Sequence, residues 1–293
     1  MTVYTVIVHY NTPHDVLRIT GDLADCTERP HQIIVVDNLS DRNNLLLLKE
    51  GIATISNAVL LEQPVNGGFG YGVNRAVDYI SQLEREAYIH VLNSDVELVN
   101  RNYLTSLCNF LDNNTAVSMV GPMVVEGDGK TVQNTILPLT SISSVIGFKA
   151  NYSAINQSAA ASTPIQVSCL NGVCFVIRMT DYIRIKGFDE RYFMYNEEQD
   201  LCFKLKKANR AIFFIPVSSV MHAGADLHQS EKTDWRFLYK RRNIVLFLRI
   251  HKNRFQALTL AAVFSVSSIG KFIRNPGGVS WAKFVKVVFS AAL

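Results

Sequence analysis

From residue 3 to residue 125, short apolar runs alternate with stretches of helical periodicity, and that alternation leaves few architectures open. Runs at 3–9, 32–36, 58–61, 87–92 and 117–125 read as strands, and 13–23, 43–50, 71–83 and 103–109 read as helices. Strands separated by helices build largely parallel sheets with helices on their faces. Thr12 is the expected N-cap of the first helix, with Pro13 in its first turn. Residues 126–165 are polar and rich in Gly, Ser and Thr, and read as an irregular excursion or flap. Beyond it, 166–177 reads as a strand pair or one long strand, 181–186 and 197–208 as helices, and 211–217 as a strand. After His222 the chain turns helical and basic. The expected fold is α/β, a Rossmann-like central mixed, mostly parallel sheet with flanking helices. A basic amphipathic C-terminal helical tail follows, with domains at 1–225 and 226–293.

Hydrophobic residues make up 48% of the 293 and charged residues 18%, enough to bury a core and too apolar for disorder. The net charge of +4 conceals an asymmetry. Residues 235–293 hold eleven Lys or Arg and no acid, whereas the first 234 hold 18 basic and 25 acidic side chains. An acidic body with a basic, apolar tail points to an anionic surface or ligand. The five scattered cysteines form no CxxC pair, which argues for reduced thiols and against a zinc site. Met1-Thr2-Val3-Tyr4 has no basic run before its apolar residues, so no signal peptide is expected. Scattered cations without a recognition motif argue against a nucleic-acid partner.

Four places carry chemistry. The strand ending Leu92-Asn93-Ser94-Asp95 sets a carboxylate at the mouth of an apolar run, where a divalent cation holding a phosphate would compensate it. Asp37 ends a second strand, at the edge where α/β sheets bind ligands; there it suits a base N–H or a ribose hydroxyl, or simply forms a turn with Asn38. Asn66-Gly67-Gly68-Phe69-Gly70 opens a helix, so its amides suit a diphosphate, although turn glycines would look the same. It is neither GxGxxG nor a Walker loop. Asn196-Glu197-Glu198-Gln199-Asp200 clusters acids at a helix start, which the helix dipole alone would favour. The aromatic lead-in Tyr192-Phe193-Met194-Tyr195 would shield those acids from water and could raise one toward a general base. His222 follows the last strand, where it could join a metal-binding Asp or simply pack.

In order and spacing, these residues resemble the inverting family 2 glycosyltransferases of GT-A fold, in the rhamnosyltransferase-like branch of bacterial O-antigen and capsule synthesis. The resemblance spans about residues 3–225. It rests on Val6-Ile7-Val8-His9-Tyr10-Asn11, Val35-Val36-Asp37-Asn38, Asn66 to Gly70, Asn93-Ser94-Asp95, and Gly187-Phe188-Asp189-Glu190 leading to Glu197-Glu198. It implies that Asp37 contacts the nucleotide base and that Asn66, Gly67, Gly68, Phe69 and Gly70 line the nucleotide-sugar loop. Asn93-Ser94-Asp95 matches a degenerate DxD triplet, with Asp95 and His222 as ligands of Mg²⁺ or Mn²⁺ and Asn93 replacing the first Asp. Glu198, standing where the family usually has Asp, is the implied base, with Glu197 as the alternative. Asp200 would orient the acceptor or support the helix start.

The implied reaction moves a sugar, best L-rhamnose from dTDP-rhamnose, with UDP-linked sugars open, to a hydroxyl of a polyprenyl-diphosphate-linked saccharide. The tail is expected to lie on the inner face of the bacterial plasma membrane, its apolar run at 255–269 being too short to span. Arg241 and Arg242 would then approach the acceptor's phosphates. The tail could instead cap the domain or pair in a homodimer. The competing readings are a nucleotidyltransferase of similar fold, whose basic glycine-rich signature near the first strand is missing, and an inactive sugar-nucleotide-binding scaffold.

Overall fold

The computed structural model describes residues 1–23, 26–137, 139–140, 163–222, 234–274 and 279–293. Among the described residues nine strands form one sheet: β1 (Val3–His9), β2 (His31–Asp37), β3 (Ala58–Glu62), β4 (Tyr88–Leu92), β5 (Val96–Glu97), β6 (Val117–Glu126), β7 (Ile165–Val167), β8 (Cys174–Arg178) and β9 (Ala211–His222). The order is β3-β2-β1-β4-β8-β6-β9-β5, with β7 beside β9. Strands β1 to β4 are mutually parallel, and β8 is antiparallel to β4 and β6. The chain builds β2 and β3 on one side of β1, then crosses to place β4 on the other. This reversal opens a crevice at the carboxyl ends of β1 and β4, where such sheets bind ligands.

Both sheet faces are covered, which is why the strands read as continuous apolar runs. Val3, Ile7, Ile33 and Val35 pack under α1 (Pro13–Asp22), α2 (Arg42–Ile52) and α4 (Tyr103–Asn113). Tyr4, Val6, Ile34 and Val36 face the other way, toward α3 (Phe69–Leu83), α5 (Met179–Arg184) and α6 (Glu197–Lys207). All five cysteines are buried as free thiols.

Three expectations change. The segment at 166–177 is not one strand or a hairpin: β7 pairs with β9, and β8 lies between β4 and β6. Strand β9 runs on to His222 past a bulge at Pro216, where pairing jumps from Pro122–Ile215 to Met123–Ser219. That extension pairs His222 with Val96 of β5, a strand too short to show periodicity. Thr12 occupies the N-cap of α1 without a side-chain cap bond. Of the excursion at 126–165, residues 141–162 lie outside the described residues, as does the domain boundary at 225.

The tail folds onto the body. Helices α7 (Asp234–His251), α8 (Arg254–Ser267), α9 (Ile269–Arg274) and α10 (Trp281–Ala292) share a core of Val245, Phe247, Leu260, Phe264, Phe284 and Val288, joined by Tyr192 and Phe203 of the sheet domain. Together α8 and α9 cover Arg254–Ile273, which is long and apolar enough to cross a membrane by length and composition, against the expectation from 255–269. One side of this helix, bearing Ala257, Leu260, Ala261 and Phe264, is buried in the shared core.

Candidate active site

The carboxyl edge of β1 and β2 is organised by His9 and Asp37, which face each other across the strand register. The Thr12 amide donates to His9 Nε2 at 3.1 Å, so the ring proton sits on Nδ1, which donates to Asp37 Oδ1 at 2.8 Å. Burial lowers the His9 pKa, opposed by the Asp37 carboxylate. Asp37 Oδ2 accepts the Ser40 amide at 3.1 Å. Asp37 is only 1% exposed, so a ligand would meet its remaining lone pairs and little else.

The glycine loop lies beside this edge, tied by Asn38 Nδ2 donating to the Gly68 carbonyl at 2.9 Å. Two of the amides expected to cradle a diphosphate are already used: Gly68 donates to Asn66 Oδ1 at 3.1 Å and Phe69 to the Phe193 carbonyl at 3.3 Å. Packing also dictates the glycines. Gly68 has φ of 88°, and a Cβ there would sit 1.9 Å from the Phe193 oxygen. A Cβ at Gly70 would press on Phe188 at 2.8 Å. The loop therefore first serves to seat the 188–193 segment, the alternative the sequence left open.

Asn93, Ser94 and Asp95 are all part-buried at the end of β4. The Asn93 amide donates to Val173 at 2.9 Å, and Arg18 of α1 clamps the triplet through the Val96 carbonyl at 3.1 Å. Because His222 sits opposite Val96, its Nε2 comes 3.1 Å from Asp95 Oδ2. The contact is off line for a hydrogen bond, and Nε2 has no hydrogen-bond partner. Among the described residues no three His, Cys, Asp or Glu side chains form a metal cluster. The Asp95 carboxylate still fits a hard cation of the Mg²⁺ type, which takes one or two protein carboxylates and completes its shell with water and substrate phosphate, with the His222 nitrogen beside it.

The acidic cluster is reached through a left-handed turn. Tyr195 and Asn196 have φ of 68° and 75°, conformations that need outside support. Asn243 of α7 supplies it: fully buried, it donates from Nδ2 to the Met194 and Tyr195 carbonyls, each at 2.8 Å. Asn243→Leu should lower the unfolding free energy by about 2–6 kcal/mol, since each stranded carbonyl costs about 1–3 kcal/mol. Urea denaturation checks this, and an unchanged midpoint would count against the strut.

Glu197 is buried, with Oε2 unpartnered; Glu198 beside it is part-buried. Burial raises both carboxyls above the usual range, Glu197 further through the charge of Glu198. Lys240 opposes this by stabilising ionised Glu198. It stacks 4.8 Å from the Tyr195 ring centroid. A Cβ on Gly172 would lie 3.9 Å from Glu198 Cβ and 4.0 Å from Phe69 Cε1, so the turn preceding β8 adjoins both the loop and the acids.

Three expected substrate contacts are corrected. Asp200 is fully buried and locked by His251 Nε2 at 2.6 Å and Lys204 Nζ at 2.8 Å, so it ties α6 to α7, the supporting role left open beside the acceptor contact. Arg241 lies 4.4 Å from the Phe264 ring centroid and 5.2 Å from that of Phe237. Arg242 donates to the Arg191 carbonyl at 3.0 Å and to Asn243 Oδ1 at 2.6 Å. Arg241 thus packs within the helical module, and Arg242 ties that module to the sheet domain. Sequence reasoning missed Asn38, Arg18, Asn243 and Lys240. Asn38 stood in the Asp37 motif without a role, and Asn243 left a trace as a lone amide at the head of the apolar run Ile244-Val245-Leu246-Phe247-Leu248.

The family model for "Glycosyl transferase family 2" matches residues 4–185, well over half of the chain. The chain belongs to glycosyl transferase family 2. This glycosyltransferase is 26% identical over 232 residues to the N-acetylglucosaminyl-diphospho-decaprenol L-rhamnosyltransferase of Mycobacterium tuberculosis, covering 74% of each chain. It is 27% identical over 235 residues to the rhamnosyltransferase WbbL of Escherichia coli, covering 75% of this chain and 83% of that one. In fold, it matches the Pyrobaculum calidifontis mannosyltransferase PcManGT in complex with GDP-Man and Mn²⁺, with TM-score 0.60 and 12% identity, over 99% of this chain and 85% of that one. GalNAc-T7 with UDP, GalNAc and Mn²⁺ gives TM-score 0.58 at 15% identity; 98% of this chain is covered but only 56% of that one. The fold of this glycosyltransferase is GT-A, as its resemblance implied.

Proposed function

We propose that this enzyme transfers a sugar with inversion from a nucleotide donor to a hydroxyl of a polyprenyl-diphosphate-linked saccharide. The favoured donor is dTDP-L-rhamnose, within bacterial surface-polysaccharide synthesis. The observation that carries this reading is the Glu197–Glu198 pair, one buried and one part-buried, with both carboxyl pKa values raised, beside the glycine loop. The relatives' names, a diphospho-decaprenol rhamnosyltransferase and a second rhamnosyltransferase, support the acceptor class and the sugar.

In this reading Asp37 and the loop from Asn66 to Gly70 hold the nucleotide, and Asn93 borders the diphosphate. Asp95 and His222 would hold Mg²⁺ or Mn²⁺, which offsets charge on the departing diphosphate when bound. Glu198 takes the proton of the acceptor hydroxyl as that oxygen attacks C1 from the face opposite the leaving group. A raised pKa makes its carboxylate a stronger base, while backbone hydrogen bonds at the helix start and Lys240 favour its ionised form. Thermal-shift screening of nucleotide sugars with Mn²⁺ tests the donor: dTDP-rhamnose should raise the melting point most. A larger shift with a UDP-hexose would replace rhamnose in the proposal.

The helical module supports a site on the inner face of the plasma membrane. Phe255, Val263, Val266, Ile269 and Ile273 are exposed along one stripe of α8 and α9, opposite the buried stripe. Arg254 is exposed at the start of the stripe, and residues 235–293 include no acid. A helix with one apolar face free and cations around it suits lying on anionic lipid. Replacing Phe255, Val266 and Ile273 together by Glu should release the protein from anionic vesicles in a flotation assay while leaving transfer to a water-soluble acceptor unchanged. Undiminished vesicle binding would rule out this face.

A further inference from the structure

Gln133 stands behind His222, and the two share an unresolved hydrogen-bond arrangement. Gln133 Nε2 lies 3.2 Å from His222 Nδ1. With the amide nitrogen there, Nδ1 accepts and the ring proton must sit on Nε2. That arrangement leaves Gln133 Oε1 and His222 Nε2 both buried without a hydrogen bond, even though Nε2 is 3.1 Å from Asp95 Oδ2. Turning the amide by half a rotation exchanges its oxygen and nitrogen at little torsional cost, because that terminal torsion is broad and two-fold. Oε1 then accepts a proton from Nδ1, and Nε2 offers a lone pair beside Asp95 Oδ2. Two electron-pair donors 3.1 Å apart repel unless a cation lies against both. The backbone around Gln133 is fixed, its amide donating to Val124 at 2.8 Å and its carbonyl accepting from Thr135 Oγ1 at 3.4 Å, so the side chain can act as a hinge on a firm base.

We propose that Gln133 is the positioning residue that sets the tautomer of His222, its amide turning to accept from Nδ1 and so presenting Nε2, with Asp95, to a divalent cation. The inference rests on Asp95 and His222 being the metal pair. Glutamine suits the task because it supports either tautomer: it donates to Nδ1 when no cation is present and accepts from Nδ1 when one is. An outer partner that fixes a ligating imidazole in this way typically changes metal affinity by about 10–100-fold.

Mn²⁺ alone, titrated into the full chain and followed by water-proton relaxation, tests this without turnover. Gln133→Leu, similar in size but with neither donor nor acceptor, should weaken Mn²⁺ binding by about tenfold or more. Gln133→Glu, which can only accept, should bind at least as tightly as the parent. The role is overturned if Gln133→Leu binds Mn²⁺ like the parent, or if Gln133→Glu falls as far as Gln133→Leu. Asp95→Ala separates the two levels. If it weakens binding while Gln133→Leu does not, the metal pair stands and Gln133 has no part in it. If Asp95→Ala changes nothing, the metal pair fails and the inference falls with it.

Discussion

Glu198→Gln should reduce kcat by about 10²–10⁴-fold while leaving donor binding nearly intact, the usual weight of a positioned general base. The amide keeps the shape of the side chain but cannot take the acceptor's proton. Glu197→Gln should cost less activity and should change stability in a way that depends on pH. Both carboxyls titrate above their ordinary value in the fold because burial disfavours their charge. An unfolded Glu ionises near pH 4.3, so above that pH the folded chain holds a proton that the unfolded chain has released. Stability then falls as pH rises from there through the raised folded pKa. Glu197→Gln removes its share of that fall, so the variant should gain melting temperature over the parent as pH increases. Equal melting curves at acid and alkaline pH would show that Glu197 is not held protonated. Full turnover by Glu198→Gln would move the base elsewhere.

Asp95→Ala should abolish metal-supported donor binding and lower transfer by about 10²–10³-fold, the scale of losing one electrostatic stabiliser of a leaving group. The effect is large because the triplet begins with Asn93, which leaves Asp95 as its only anionic side chain. His222 alone would not hold a hard cation, which prefers oxygen. The parent protein should gain melting temperature from dTDP-rhamnose with Mn²⁺ beyond the gain from the nucleotide sugar alone, and Asp95→Ala should lose that extra gain. Asn93→Asp, which adds a second carboxylate, should enlarge it. A metal-dependent shift that survives in Asp95→Ala would contradict this assignment.

Much of the proposed nucleotide side was legible as strand ends, because β1, β2 and β4 are buried on both faces. Their apolar runs stop where the sheet edge meets solvent, and His9, Asp37 and Asn93 stand at or just past those stops. The pairing of Asp95 with His222 was not readable, since it depends on a two-residue strand and on a bulge that carries β9 past Pro216. Two of the tail's cations were misread for a related reason. Arg241 and Arg242 look like part of a phosphate-facing set, yet Arg241 packs on aromatic rings of the tail itself and Arg242 donates to a carbonyl of the body. Asn243 reaches back 48 residues to hold Tyr195, and a lone amide beside an apolar run does not say which carbonyls it will meet. The glycine loop was ambiguous for a physical reason: close packing against Phe193 and close approach to a phosphate both require an absent side chain.

The proposed reaction is a single displacement driven by one carboxylate base. Its most direct test is the anomeric configuration of the product, read by NMR after transfer from a nucleotide sugar of known configuration to a polyprenyl-diphosphate-linked acceptor. Attack from the face opposite the leaving diphosphate predicts a product of opposite configuration to the donor. A product with the donor's configuration would mean two displacements or a same-face attack, and would contradict Glu198 acting as the base.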